Sequence, residues 1–265
     1  MKHSIKKENN KILIRDDQNN GITQLTLNRP DKYNALSSAL LTDIQIELDR
    51  ISQDPNVRVV ILAGEGTAFC AGHDIQEIMD NPSEPSVKIL FQKCSKMMLT
   101  LTKMPQPIIA KIHGLATAAG CQLVAQCDLA IASDEATFAT SGIGIGLFCG
   151  TPSVAVTRNM PRKQAMELLF TGEFIDARKA LEFGLVNQIA ADKNLDDATE
   201  ALALKITQKG PEFISRGKAL FYNQIEQGLE SAYEQATKFM IENMQLKSTQ
   251  SGLNAFLNKK PMPDW

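Results

Sequence analysis

Pro107-Ile-Ile-Ala-Lys-Ile112 reads as a short apolar strand, Ala116-Thr-Ala-Ala-Gly120 as a loop of small residues opening a helix near Ala119, and Cys127-Asp-Leu-Ala-Ile-Ala-Ser133 as a further buried strand. Strand, loop, helix and strand in such close succession require a crossover connection, and this points to an α/β fold. The unit also occurs earlier in the chain. Val57-Arg-Val-Val-Ile-Leu62 is an apolar strand, a loop of small residues follows it, and a helix begins from Asp74.

Upstream, Lys11–Arg15 and Ile22–Leu27 alternate as a hairpin around Asn19-Asn20-Gly21, which supplies the turn chemistry. From Ser37 to Ile51 the apolar residues Leu40, Leu41, Ile44, Ile46, Leu48 and Ile51 approximate one helical face. Thr137–Ser141 is a poor strand. Downstream, Pro161 suits a first helical turn leading into Gln164–Phe170, and Asp176 and Gly184 bracket a short helix as cap and stop. Beyond Asn194 the pattern is helical: 196–208, 211–227 and 229–246. The expected layout is an α/β core over residues 1–195 and a helical region over 196–265 whose apolar faces must be buried, a subunit interface being a common place for such an annex.

The chain has 265 residues, 43% hydrophobic and 22% charged, which excludes a disordered or fibrous protein. Twenty-eight basic against 30 acidic residues give a net charge of -2, so no nucleic-acid footprint is expected. Only three histidines, one of them His3 in a polar tail, leave little for a multi-imidazole centre, and no metal is expected. Five cysteines without a C-x-x-C pair read as free thiols in a reducing compartment. Met1–Asn10 is lysine- and asparagine-rich and does not read as a secretory signal or a transit peptide. No window approaches a membrane span. A cytoplasmic chain is expected, or a mitochondrial matrix one in a eukaryote.

Gly144-Ile-Gly-Leu-Phe-Cys-Gly150 has the spacing of a dinucleotide finger but lacks a clear preceding strand, and Pro152 interrupts the helix start, so structural glycines are the better reading. Ala71-Gly-His-Asp74 and Ala116–Gly120 are more informative. Both are strand-to-helix junctions of small residues, where the first N–H groups of a helix lack an internal acceptor. Brought together, two such groups can bind a carbonyl oxygen that becomes an enolate. Small residues for helix–strand packing remain the plain alternative.

Leu27-Asn-Arg-Pro-Asp-Lys-Tyr-Asn-Ala-Leu36, Ala68-Phe-Cys-Ala-Gly-His-Asp-Ile75, Ile112-His-Gly-Leu-Ala-Thr-Ala-Ala-Gly-Cys-Gln-Leu123 and Cys127-Asp128 resemble the enoyl-CoA hydratase/isomerase (crotonase) family. Phe170-Thr-Gly172, Ala180 and Gly184-Leu-Val186 extend the resemblance, which covers roughly residues 12–259. It implies a crotonase-like spiral of ββα repeats with a C-terminal helical trimerisation region, giving a homotrimer or a hexamer made of two trimers. The implied ligand is an acyl-CoA thioester, with coenzyme A entering as part of the substrate and no permanently bound cofactor. The two oxyanion donors fall on the N–H groups of His73 and Ala119. Lys32, Tyr33 and Ala35 fall in the loop on the nucleotide side of CoA. Ala71, His73 and Ile75 line the adenine and pantetheine path, and Phe256 and Lys259 match residues contributed by a neighbouring subunit.

The sequence departs from the family at both catalytic glutamates, which fall on Gln122 and Gly142. An amide does not exchange a proton at neutral pH, and glycine has no side chain to offer. Two-carboxylate hydration is therefore not expected. Methylmalonyl-CoA decarboxylase-like members share the histidine and place a tyrosine where Cys149 aligns, so decarboxylation, isomerisation, hydrolysis and atypical hydration stay open. A noncatalytic acyl-CoA-binding protein is the alternative. A serine peptidase on the related spiral fails, because residues near Ala118 and Ala119 include no serine. Cys149 is a candidate weak acid or nucleophile; Thr140 and Ser141 either contact substrate or cap a loop; His113 reads as a buried structural imidazole; Asp74 reads as a helix cap.

Overall fold

The structure, a computed structural model, describes residues 11–265. His3 and the Met1–Asn10 stretch lie outside the described residues.

The chain runs β1 (Leu13–Asp17), β2 (Ile22–Leu27), α1 (Ser38–Ser52), β3 (Val59–Gly64), β4 (Ala68–Cys70), α2 (Ile75–Asp80), α3 (Glu84–Lys103), β5 (Ile108–Ile112), β6 (Leu115–Thr117) and α4 (Ala119–Gln126). It continues through β7 (Leu129–Ser133), β8 (Thr137–Ala139), α5 (Gly150–Asn159), α6 (Arg162–Thr171), β9 (Ile175–Asp176), α7 (Ala177–Glu182) and β10 (Gln188–Ala190). Helices α8 (Leu195–Thr207), α9 (Pro211–Gln224), α10 (Leu229–Met244) and α11 (Lys247–Leu257) close it.

A six-stranded sheet has the order β1-β2-β3-β5-β7-β10, parallel except for the β1–β2 hairpin. A four-stranded sheet has the order β4-β6-β8-β9, with only β8–β9 antiparallel. Each pass of the chain lays one strand in the large sheet, the next in the small sheet, and then a helix: β3-β4-α2, β5-β6-α4, β7-β8-α5. This is the expected ββα spiral.

The wholly apolar β3 is explained by layers on both faces of the large sheet. Val59 and Ile61 of β3, with Ile22, Ile109 and Ile131, face Leu195 and Ala203 of α8. The alternate residues Val60, Leu62, Ile108, Ala110, Ile112, Ala130 and Ala132 face the main core, with α1, α3 and α4. The period of two sends each set to its own layer.

Beyond α8, the C-terminal helices are anchored at one buried point on α9. Lys218 Nζ donates to Asp128 Oδ2 at 2.7 Å and to the carbonyls of Leu101 and Gln106 at 2.7 and 2.9 Å. The Tyr222 hydroxyl donates to Asp128 Oδ1 at 2.8 Å.

Several expectations are corrected. Thr137–Ala139 is a strand; like β4 and β6 it is three residues long, too short for alternation to show in sequence. Ile46 is exposed, off the buried face of α1. Pro152 does not break α5: it is buried in the first turn, where its missing N–H costs nothing. Pro161 is the N-cap of α6 rather than its first residue. Helices α3, α5 and α11 lie outside the helices expected from the sequence.

Candidate active site

The first donor loop follows β4. Leu36 N–H bonds to the Gly72 carbonyl at 2.7 Å, and Asp74 N–H bonds to the Leu36 carbonyl at 3.2 Å. These bonds form a parallel bridge between Leu36 and His73. Because the residues flanking His73 both bond toward Leu36, the His73 N–H points the opposite way. It has no hydrogen-bond acceptor among the described residues. Gly72, at φ +95°, makes the corner; a Cβ there would lie 2.9 Å from Ala118 Cβ and 3.0 Å from Ala119 N. The two loops therefore touch.

The second loop follows β6. Ala118 adopts φ 51°, ψ −119°, a conformation that L side chains rarely take. Its N–H bonds to the Ala139 carbonyl at 3.0 Å and its carbonyl accepts the first α4 bond from Gln122 N–H at 3.0 Å. This corner leaves the Ala119 N–H at the start of α4 without an internal acceptor, at the positive end of the helix dipole. A Cβ at Gly120 would sit 1.9 Å from the Cys70 carbonyl oxygen, so only glycine allows α4 to approach β4 this closely.

Between the loops lies a cavity of about 400 Å³, lined by Ala71, His73, Ile75, Ala118, Ala119, Ser141, Gly142 and Cys149. Ile78, Phe91, Ile145, Leu147, Phe148 and Pro152 supply the apolar wall. No lysine or arginine lines it among the described residues. His73's ring meets Phe91 edge-on at 4.8 Å, and its Nε2 is shielded without a partner. Burial lowers the imidazole pKa to about 4 despite the nearby Glu77, so it is neutral at pH 7.

Gly142 has no room for a side chain: a Cβ would lie 2.5 Å from the Leu147 carbonyl oxygen and 2.9 Å from Cys149 Sγ. Burial raises the Cys149 pKa, opposed by a hydrogen bond from Gly142 N–H, and the thiol is protonated at neutral pH. Gln122 is buried one helical turn past Ala119, outside the cavity lining, and its Oε1 has no partner. Thr140 is a structural tie, donating to the Leu168 carbonyl at 2.7 Å, whereas Ser141 lines the cavity and shares a 2.7 Å hydrogen bond with Thr117.

Of the residues expected on the CoA path, Ala71, His73 and Ile75 line the cavity. Tyr33 and Ala35 do not, but their loop is bonded to it: Ala71 N–H donates to the Tyr33 carbonyl at 2.9 Å. Lys32 lines a neighbouring depression with Asp74 and Glu77. Phe256 is exposed at the end of α11, and neither it nor Lys259 lines the cavity of its own chain. His113 is half-buried rather than buried, with Nε2 2.9 Å from the Gly66 carbonyl. Asp74 is the cap of α2, as expected. Glu135 is exposed. No cluster of three metal-ligating side chains and no helix long and apolar enough to cross a membrane exist among the described residues.

The enoyl-CoA hydratase/isomerase family model matches residues 17–265. The chain belongs to the enoyl-CoA hydratase/isomerase family. Within it, enoyl-CoA hydratase domain-containing protein 3, mitochondrial, of Xenopus laevis is 43% identical over 248 residues, covering 94% of this chain and 84% of that protein. The crystal structure of the human domain-containing protein 3 superposes with a TM-score of 0.92 at 41% identity, over 96% of this chain and 100% of that one. The crystal structure of an enoyl-CoA hydratase from Mycobacterium smegmatis gives 0.94 at 48% identity, over 96% and 99%. This family member falls in the domain-containing protein 3 branch, and its spiral is the crotonase fold.

Proposed function

We propose that the chain is an acyl-CoA-processing enzyme that holds a thioester carbonyl between the N–H groups of His73 and Ala119 and stabilises the enolate formed from it. The carrying observation is the pair of unbonded N–H groups on two touching loops at one cavity. An N–H donor of this kind contributes about 3–4 kcal/mol to a developing oxyanion. Coenzyme A enters as part of the substrate, with Lys32, Tyr33 and Ala35 on its nucleotide side and Ala71 and Ile75 beside its pantetheine arm. Phe256 and Lys259 serve the site of a neighbouring subunit in a trimer or a hexamer of two trimers. The exposed Leu229, Tyr233, Met240, Ile241 and Leu257 of the C-terminal helices support assembly. A monomer by light scattering at micromolar concentration overturns this part.

Two-carboxylate hydration is not the proposed reaction. Gln122 offers a buried amide, and Gly142 is closed by Leu147 and Cys149. The protonated Cys149 thiol is the group proposed to deliver a proton to the enolate carbon, with the thiolate reprotonated from water. An enolate generated by loss of CO2 from a malonyl-type thioester needs only this hole and this acid. An apolar wall without a cation also disfavours the substrate's carboxylate relative to neutral CO2.

A conjugated dienoyl-CoA tests the hole, because its absorption moves to longer wavelength when its carbonyl is polarised. A red shift on binding is expected, and failure to bind overturns the reading. Screening crotonyl-CoA, malonyl-type CoAs and saturated thioesters separates the reactions. Crotonyl-CoA turnover at ordinary hydratase rates sinks the claim that the carboxylate mechanism is absent. The second reading, a noncatalytic acyl-CoA-binding protein, is favoured by the lack, among the described residues, of any carboxylate in the cavity lining, and predicts a red shift without turnover. The five thiols, all free and buried, support a reducing compartment, cytoplasm or matrix.

A further inference from the structure

The segment carrying the His73 donor is held from behind by charged contacts that the proposed chemistry does not use. Asp74 Oδ2 accepts from Arg29 Nη2 at 2.9 Å, and Asp74 Oδ1 accepts from the Glu77 N–H at 3.3 Å. Arg29 Nη1 donates to the Ala35 carbonyl at 2.5 Å. The Glu77 carboxylate in turn accepts from Ser38 N–H, at 2.9 and 3.2 Å, at the start of α1. One guanidinium thus spans two runs of chain, 33–36 and 71–74, whose mutual hydrogen bonds aim the His73 N–H into the cavity. The side chains of Arg29 and Asp74 are 17% and 13% exposed, so the pair is largely shielded from water.

The loop on the other side of Arg29 is rigid for a separate reason. Tyr33 and Asn34 both have positive φ, at 49° and 55°. Asn34 pins that turn through its side chain, accepting from Arg29 N–H at 2.8 Å and donating to the carbonyls of Glu65 and Ala68 at 2.8 and 2.7 Å. A displacement of the turn is therefore carried to 71–74 by Arg29 and by the backbone bonds from Ala71 and Leu36. Burial pushes the Asp74 carboxyl up, but the Arg29 hydrogen bond and charge and the Glu77 N–H bring it below its ordinary value, so it stays ionised.

We infer that Arg29 and Asp74 are positioning residues, their ion pair coupling the 30–34 turn to the alignment of the His73 oxyanion donor. This rests on the enolate reading proposed above. A forked guanidinium is required, because a lysine ammonium is a point charge that does not hold a carboxylate and a carbonyl in fixed geometry. Oxyanion donors act through their alignment with the developing charge, so loosening this brace weakens polarisation of the carbonyl more than binding of the thioester.

The test is the red shift of a saturating conjugated dienoyl-CoA on the full-length protein, alongside its affinity. Asp74→Asn keeps an oxygen for the α2 cap and removes the charge; Arg29→Lys keeps the charge and removes the fork. Each is expected to lose at least half of the wild-type red shift while affinity falls less than tenfold. Arg158→Met, which breaks the exposed pair with Glu226, is the control and keeps the full shift. If either variant binds with an undiminished shift, the positioning role is overturned, even where its melting temperature has dropped. If Asp74→Asn does not fold, Arg29→Lys decides alone, by the same criterion. If the wild type itself shows no shift, the enolate reading falls, and this inference falls with it.

Discussion

Cys149 fills the volume in which a side chain at Gly142 would have to stand: a Cβ on Gly142 comes within 2.9 Å of the thiol sulfur. The Leu147 carbonyl oxygen blocks the same space at 2.5 Å, and backbone does not yield as a flexible side chain does. A side chain at position 142 is thus excluded by the shape of the 141–150 loop.

Placing glutamates at 122 and 142, the positions proposed to align with the family's catalytic pair, is therefore expected not to create a hydratase. Gln122→Glu with Gly142→Glu should show no crotonyl-CoA hydration above the wild type, because the new carboxylate at 142 displaces its loop. Gly142→Ala alone should cost about 1–3 kcal/mol through overpacking, read by chemical denaturation. Hydration gained in the double variant would show that the loop adapts and would support the proposed alignment of 122 and 142.

Ala118 carries strain at the second donor loop. A non-glycine residue at φ 51°, ψ −119° costs on the order of 1–3 kcal/mol, whereas glycine takes this conformation freely. Glycine also adds about 0.4–1 kcal/mol of unfolded-chain entropy, which offsets part of the gain. Ala118→Gly is expected to raise the unfolding free energy by about 1 kcal/mol and to leave the dienoyl-CoA red shift intact, since Ala119 N–H is main chain. A lower stability would mean that the Cβ contact between Ala118 and the Gly72 corner outweighs the strain.

The elements legible in sequence are those with local chemistry. Gly21 at φ +79° turns the hairpin, and Ser37, Asp74 and Asp176 each cap a helix through the side chain. Strands β3, β5 and β7 of the large sheet are legible because they are buried on both faces and largely apolar, and β1 and β2 because they alternate around a turn; the short, half-exposed β10 is not. The small sheet is not, since its strands are two or three residues long and hold together only through neighbours distant in sequence. At the site, both donor loops could be located from small residues at strand-to-helix junctions. The apolar wall could not: Ile78, Phe91, Leu147 and Phe148 look in sequence like any other packing residues. Phe91 belongs to α3, whose buried Leu90, Cys94, Met97 and Leu101 do have helical spacing. The Arg29–Asp74 brace joins residues 45 apart and has no sequence signature.

His73 makes stability depend on pH. Its folded pKa is lowered from 6.5 to about 4 by burial, against the pull of Glu77. Between those values the unfolded chain binds a proton that the folded chain does not, so stability falls as pH drops from about 6.5 toward 4. The loss should reach on the order of 2–3 kcal/mol near pH 4. His73→Gln keeps the main-chain donor and removes the titration. Melting midpoints of the two proteins across pH 4–8 should diverge below about 6.5, the wild type falling more steeply; parallel curves would place the imidazole in water.

Lys218 provides the sharpest test of how the C-terminal helices are tied to the core. Burial lowers its pKa while the Asp128 carboxylate raises it, and both the ammonium and its three acceptors lie out of solvent contact or nearly so. Replacing both members of such a pair can be nearly neutral, but removing one leaves the other uncompensated at a cost of about 3–5 kcal/mol. Lys218→Met strands the carbonyls of Leu101 and Gln106 and leaves Asp128, among the described residues, with Ile108 N–H and Tyr222 as donors. It should therefore destabilise by about 3–5 kcal/mol. Tyr222→Phe removes one hydrogen bond to the same carboxylate and should cost about 1.5–3 kcal/mol. Adding Asp128→Asn to Lys218→Met should recover part of the loss, because an amide tolerates the missing cation. A double variant no more stable than Lys218→Met would place the cost in the stranded carbonyls rather than in the unpaired charge.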